Sequence, residues 1–262
     1  MNIEHLGAQP LEYDPSTAGE LPRHAQLYTL RSEEIVGQEK GDLRDIGLTF
    51  LNQLGDKSFR MRFGIPKPDA KRLGRLVDHF LEGRTHPHVM LLLLHEQRLL
   101  GAASVFRHQL RASAFGEIID TIHVAELSVT IADELQGQGL GKLLLSQARQ
   151  FAIDAAFTHV YFSFEPANHA SRRMVESVCG VDQLVAGASN PRDKYFRITP
   201  HDPELDLIEQ TMRVYCDDTS ESSLQSTETA QKYPRLSTTK FGRRVLEALE
   251  SIEIMLPEGL RL

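Results

Sequence analysis

The chain predicts an α/β fold of the mixed (α+β) kind: a mostly antiparallel sheet flanked by helices, with a helical appendage at the C-terminal end. Three observations predict it. Apolar residues recur at three- and four-residue spacing in several segments, the signature of amphipathic helices. Between them lie short continuous apolar runs of the length of buried strands. A glycine-rich turn, Gly137-Gln138-Gly139-Leu140-Gly141, also stands where a strand pattern gives way to a helix pattern. Helices laid on a sheet are the packing that buries both kinds of apolar face.

Residues 1–24, with Pro10, Pro15, Gly19 and Pro22, predict an irregular leader covering part of the fold. Ala25–Leu30 predicts a strand. Leu43, Ile46, Phe50, Leu51 and Leu54 mark one helix, and Leu73, Leu76, Val77, Phe80 and Leu81 a second. Val89–His95 and Arg98–Phe106 predict a hairpin of two largely buried strands. Ile118–Ile131 predicts one further strand, interrupted in polarity by Asp120, His123 and Glu126. A helix from about Gly139 to Ala156 follows, with Leu140, Leu144, Ala148, Phe151 and Ala155 on one face and Leu145 and Ala152 beside them. His159–Phe164 is a short strand ended by Glu165-Pro166, and residues 168–179 form a helix through Ala170, Met174, Val175 and Val178. The order is β-α-α-β-β-β-α-β-α, closed by a strand at Lys194–Ile198. Leu205, Ile208, Met212 and Tyr215 then show helical spacing, Asp217–Gln231 reads as a polar linker, and Phe241, Val245, Leu249, Ile252 and Leu256 line a last helix. The chain thus divides into a leader (1–24), a main domain (25–199) and an acidic helical extension with a polar linker (200–262).

Composition narrows the function classes. With 262 residues, 41% hydrophobic and 25% charged, the chain can bury a substantial core, which excludes a disordered or collagen-like protein. The longest apolar run, Val89–Leu94, is far shorter than the roughly 20 residues a bilayer requires. Met1-Asn2-Ile3-Glu4-His5 lacks the basic and apolar stretches of a secretion signal, so a cytoplasmic location and no membrane partner are expected. Cys179 and Cys216 have no paired spacing and read as free thiols. A net charge of −7 argues against nucleic acid as a partner and favours cationic ones. The eleven histidines fall into no ligand spacing, and no metal is expected.

The chemistry concentrates in Gln136-Gly137-Gln138-Gly139-Leu140-Gly141-Lys142. Glycines let a ligand approach the backbone, and the free N–H groups of a helix start, aided by the helix dipole, favour an anion such as phosphate. A dinucleotide fingerprint requires the third glycine one residue later, and a P-loop requires Ser or Thr where Leu143 stands. Taken alone, the residues fit a simple turn before an ordinary helix equally well.

They do not stand alone. Val124-Ala125-Glu126-Leu127-Ser128-Val129-Thr130-Ile131, followed by Gln136-x-x-Gly139-x-Gly141 and the Leu143–Phe151 helix, resembles the acyl-CoA-binding signature of the GNAT N-acetyltransferase superfamily. Glu165-Pro166-Ala167-Asn168 extends the resemblance, which covers roughly residues 25–182, and the element order is that of the GNAT fold. Leu48–Phe63, with Phe50, Leu54, Ser58, Phe59, Arg60, Arg62 and Phe63, resembles the entry region of the GNAT domain in bacterial protein-lysine acetyltransferases, as does Ala125-Glu126.

The resemblance implies acetyl-CoA as cosubstrate. Its pyrophosphate would lie on the backbone amides of the loop formed by Gln136, Gly137, Gln138, Gly139, Leu140, Gly141 and Lys142. Its pantetheine arm would run between two splayed parallel strands, along Ser128, Val129 and Ile131 on one side and Tyr161–Phe164 on the other. Asn168 matches a position that contacts the arm, or else simply caps its helix. Glu126 matches the general base of protein-lysine acetyltransferases. An amine of pKa about 10.4 must lose a proton before it attacks a thioester. The alternative for Glu126 is a strand carboxylate facing solvent or paired with an arginine. Glu117 and Asp120 are secondary candidates for the base, with His123 as a relay. One departure stands out: many GNAT enzymes protonate the leaving thiolate with a tyrosine on the helix after Asn168, where this chain has Met174 and Val175. Ser171 is a weak substitute, and Cys179 reads as a packed thiol.

The implied acceptor is a protein lysine, with a small amine as the in-class alternative and a CoA-responsive regulatory module as the alternative outside it. In the extension, Asp202, Glu204, Asp206, Glu209, Asp217, Asp218, Glu221 and Glu228 are answered over the same span by Arg213 alone. This region is expected to stand apart from the catalytic machinery, its last helix docking on the main domain or joining a second copy in a homo-oligomer.

Overall fold

The computed structural model describes residues 9–10, 25–31, 38–82, 89–96, 98–107, 110–112, 117–119, 124–187 and 192–200, with positions 202, 209 and 212. The elements are β1 (Gln9–Pro10), β2 (Ala25–Arg31), α1 (Gln38–Gln53), α2 (Asp56–Phe63), α3 (Ala70–Glu82), β3 (Val89–His95), β4 (Arg98–Arg107), β5 (Leu110–Ala112), β6 (Glu117–Ile119) and β7 (Val124–Ile131). They continue with α4 (Leu140–Asp154), β8 (His159–Ser163), α5 (His169–Cys179), β9 (Leu184–Ala186) and β10 (Asp193–Arg197). Eight strands form one sheet in the order β1-β2-β3-β4-β7-β8-β10-β9, and β5 and β6 make a separate two-stranded ribbon. Every neighbouring pair in the large sheet is antiparallel except β7 and β8, which run parallel.

Alternation along the strands sends side chains into two cores. On one face Tyr28, Leu30, Leu92 and Leu94 pack under α1, α2 and α3 through Phe50, Leu54, Phe59, Phe63, Leu73 and Leu76. On the other, Leu91, Leu93, Ala125, Leu127, Val160 and Phe162 pack under α4 and α5. Helix α4 buries Leu140, Leu143, Leu144 and Leu145 there, each contributing about 1.5–3 kcal/mol.

The prediction of mixed sheet and helices holds, with three differences of detail. The apolar stripe ending at Leu54 crosses a break: Gly55 is extended and caps α2, whose Phe59 and Phe63, one turn apart, are both buried. Among the described residues three helices rather than two therefore separate β2 from β3. The single strand expected at Ile118–Ile131 is two, because Glu117–Ile119 pairs with Leu110–Ala112 in the ribbon whereas Val124–Ile131 joins the large sheet. Asp120 and His123 fall between them, outside the described residues. Within the leader, Gln9 and Pro10 pair with Thr29 and Tyr28 as an edge strand. The polar linker and the last predicted helix lie outside the described residues.

Candidate active site

Strands β7 and β8 pair at three positions, Val124↔His159, Ala125↔Val160 and Glu126↔Tyr161. Both then continue, each held on its outer edge: β7 by β4 as far as Gly101↔Ile131, and β8 by β10 as far as Asp193↔Ser163. Beyond Glu126 and Tyr161 no pairing between the two follows among the described residues, so their inner edges face each other across a gap. Leu127–Ile131 presents about 16 Å of main chain along it. An extended ligand can add to such an edge as a strand would. Ser163 Oγ, on β8 beside the gap, is buried without a hydrogen-bond partner.

The gap ends at a helix start. Gly137 and Gly139 take positive φ, 81° and 86°, which side chains adopt at a cost. Gln136 pins the turn by donating to the carbonyl of Ile131 at 3.2 Å, Asp133 Oδ1 at 3.1 Å and Ser58 Oγ at 3.2 Å. Gly139, the N-cap of α4, accepts from the amides of Lys142 and Leu143 at 2.9 and 3.1 Å. The amides of Leu140 and Gly141, the first two of α4, precede the helical hydrogen-bond ladder and stand at the positive end of the helix, a setting that favours negative charge. Residues 136–139 and Lys142 are exposed. Gly141 also touches α5: a Cβ there would meet Met174 Sδ at 2.9 Å, so the bare backbone brings α5 close to α4.

Residues 52–181 match the model of the Acetyltransferase (GNAT) family. The chain belongs to the GNAT acetyltransferase family. Acetyl-CoA-dependent acyl transfer is therefore its activity, with acetyl-CoA as cosubstrate. Among solved structures the chain is similar to the GNAT domain of S. lividans PAT, at 17% identity and TM-score 0.48, over 71% of this chain and 99% of that one. It is similar to yncA of Salmonella typhimurium, solved with its cofactor acetyl-CoA, at 18% identity and TM-score 0.44, over 68% and 96%. A third likeness is to the ribosomal-protein-S5-alanine acetyltransferase of Vibrio fischeri, at 12% and TM-score 0.44, over 74% and 100%. No curated protein matches the chain significantly.

In this GNAT domain Glu126 stands where the gap opens and is 3% exposed. It shares a strand face with Ser128 and Thr130, opposite the one on which Ala125, Leu127, Val129 and Ile131 enter the core. Arg62, near the end of α2, reaches this face: its Nε donates to Thr130 Oγ1 at 2.8 Å, and its guanidinium lies 5.4 Å from the centre of the Phe63 ring. Burial lowers the guanidinium pKa from 12.5 to about 10, and attraction to Glu126 opposes the fall. The buried carboxylate thus has a cation within Coulomb reach, as the arginine-paired alternative foresaw. Sequence reasoning met Arg62 only in the entry-region resemblance; the signal that marks it is a charged residue beside Phe63 on a helix whose aromatic side chains are buried.

The remaining expected site residues sort as follows. Ser128 and Val129 are half-buried along the gap, and Ile131 is buried, its Cδ1 filling the space beside Gly101. Asn168 caps α5, its side chain accepting from the amide of Ser171 at 3.2 Å. Val175 is buried and Met174 packs on Gly141, so α5 brings no proton donor from these positions. Burial pushes the Cys179 thiol up to about 12, against the pull of Arg149, and it is a packed thiol. The side chains of Glu117, Asp120 and His123 lie outside the described residues. Among the described residues no group of three His, Cys, Asp or Glu is placed to hold a metal ion, and no helix is long and apolar enough to cross a membrane.

Tyr161, in register with Glu126, donates its hydroxyl to Asp193 Oδ1 at 2.7 Å and packs on Tyr195, with ring centroids 4.9 Å apart. Val124, Ala186 and Met212 complete this small cluster. Met212 belongs to the acidic extension, and Glu209 beside it is bonded to Arg197 and His159. Glu209 thus finds its partners outside its own span, on β10 and β8.

Proposed function

We propose that the protein moves the acetyl group of acetyl-CoA to the side-chain amine of a protein lysine, with Glu126 as the general base. The observation that carries this is a buried carboxylate at the point where the unpaired β7 and β8 edges open. The pyrophosphate would rest on the amides of the loop from Gln136 to Lys142, and the pantetheine arm would follow Ser128, Val129 and Ile131. The run of about 16 Å along Leu127–Ile131 suits that arm. The orphaned Ser163 hydroxyl and the unpaired main-chain groups offer it hydrogen bonds.

Glu126 takes a proton from the incoming ammonium, and the nitrogen lone pair attacks the thioester carbonyl. The tetrahedral adduct collapses with cleavage of the C–S bond; its nitrogen gives up a second proton to water, and water returns a proton to the departing thiolate. A general base of this kind contributes about 10²–10⁴ in rate. Arg62 holds the carboxylate face in place through Thr130. Net charge −7 and a carboxylate at the acceptor end suit a cationic amine. The setting is cytoplasmic in this reading.

The test is acetyl-CoA turnover on a proteome extract, with acetyl-lysine read by mass spectrometry. New acetyl-lysine supports the proposal. Acetylation confined to small amines overturns the lysine acceptor, and CoA binding with no thiol release on any amine identifies a regulatory module instead.

A further inference from the structure

Cleavage of the C–S bond puts negative charge on sulfur, and α5 supplies no donor for it from Val175, which is buried, or from Met174, which packs on Gly141. Strand β8 carries a candidate. Ser163, its last residue, has its Oγ buried with no hydrogen-bond partner among the described residues. A buried hydroxyl is costly until something bonds to it. Side chains alternate along β8: Val160 and Phe162 enter the core under α4 and α5, whereas Tyr161 packs with Val124 on the other face. Glu126, two residues from Val124, shares that other face, and so does Ser163, two residues from Tyr161. Glu126 and Tyr161 are register partners on parallel strands, so Ser163 stands across the gap from Ser128, in the stretch where β7 and β8 no longer pair. The neighbouring hydroxyl on this face of β8 is engaged, since Tyr161 donates to Asp193 Oδ1 at 2.7 Å.

We infer that Ser163 is a catalytic hydrogen-bond donor to the departing sulfur of CoA. The inference rests on the reading that acyl transfer takes place at Glu126. Distances along the strands support it. A base lies about 3 Å from the amine nitrogen, and the nitrogen about 3–3.5 Å from the thioester carbon, so the sulfur bonded to that carbon lies about 6 Å from the carboxylate, on the side of the arm. Two residues of strand advance about 6.6 Å, which sets Ser163 level with the sulfur. As the C–S bond breaks, its electron pair passes to sulfur, and the Ser163 hydroxyl donates to the thiolate while keeping its own proton. The proton that completes CoA comes from water. A hydroxyl is a weaker acid than a thiol of pKa about 8.5, so it donates without transfer.

Two measurements on the full chain test this. The first needs no amine: CoA is bound and its thiol titrated by the ultraviolet absorbance of the thiolate. A hydrogen bond to the charged form lowers a pKa, so Ser163→Ala should raise the midpoint of the bound thiol by about 1–2 pH units. Ser163→Thr keeps a hydroxyl and should restore it. Glu126, Arg62 and Asp193 are present in every variant, so their fields cancel in the comparison. The second measurement is single-turnover transfer from acetyl-CoA to an N-terminally blocked lysine peptide and to spermidine. Ser163→Ala should slow it about 10–100-fold, the effect of one charge-assisted hydrogen bond, with the acetyl-CoA Kd within about twofold. Its melting temperature should not fall, because the hydroxyl has no bond to lose. An unmoved thiol midpoint, a midpoint that threonine does not restore, or an unchanged transfer rate overturns the inference alone. A wild-type protein that acetylates neither probe overturns the functional reading and this inference with it.

Discussion

Replacing Arg62 by methionine keeps a long apolar stem over Phe63 and removes the charge that faces Glu126. The cation matters in two ways. An opposite charge favours the ionised carboxylate, so its removal should move the acid limb of kcat/KM to higher pH. Its loss also removes the charge-assisted hydrogen bond to Thr130 Oγ1, worth about 1.5–3 kcal/mol. About 1.5–3 kcal/mol corresponds to a melting shift of about 3–12 °C in a domain of this size. The assay is release of CoA thiol from pH 5 to 9, run beside a thermal melt. Thr130→Val serves as control, because it removes the 2.8 Å acceptor of Arg62 Nε and leaves the charge in place; its acid limb should not move. A folded, active Arg62→Met variant with an unmoved acid limb refutes the coupling of Arg62 to Glu126.

Gly139→Glu should raise the acetyl-CoA Kd at least tenfold, since it puts a side chain at φ 86° and a negative charge at the start of α4, and an unchanged Kd in the folded variant sinks the anion site. Asn168→Ala should cost about 1 kcal/mol of stability, read as a lower melting temperature, with acetyl-CoA affinity preserved. A large loss of affinity at unchanged melting temperature would show that Asn168 serves the ligand and not the helix.

Long periodic segments were legible in the sequence because packing repeats along them. The hairpin Val89–His95 and Arg98–Arg107, helix α4 and the glycine turn all fall where spacing places them. Short or interrupted elements were not. Gly55 breaks a stripe whose apolar spacing runs through it, because α1 and α2 pack into the same core. Apolar residues on both sides of Asp120 and His123 read as one strand although they join different sheets. Strand β9, three residues long, carries too little pattern to register. The long-range pairings are tertiary: Arg62 bonds Thr130 within Coulomb reach of Glu126, and Glu209 bonds Arg197 and His159, across distances in sequence that no local spacing encodes. The Gln136-x-x-Gly139-x-Gly141 pattern was visible, but the separate work of its glycines was not, since conformation at Gly139 and packing at Gly141 look alike as letters.

The most direct test of the central claim is Glu126→Gln, measured for acetyl-CoA affinity and for turnover on the same preparation. Glutamine keeps the shape and removes the basicity. The account predicts an acetyl-CoA Kd within about twofold of wild type and a turnover reduced by about 10²–10⁴ at neutral pH. Retained turnover with retained affinity would contradict it and place the base elsewhere.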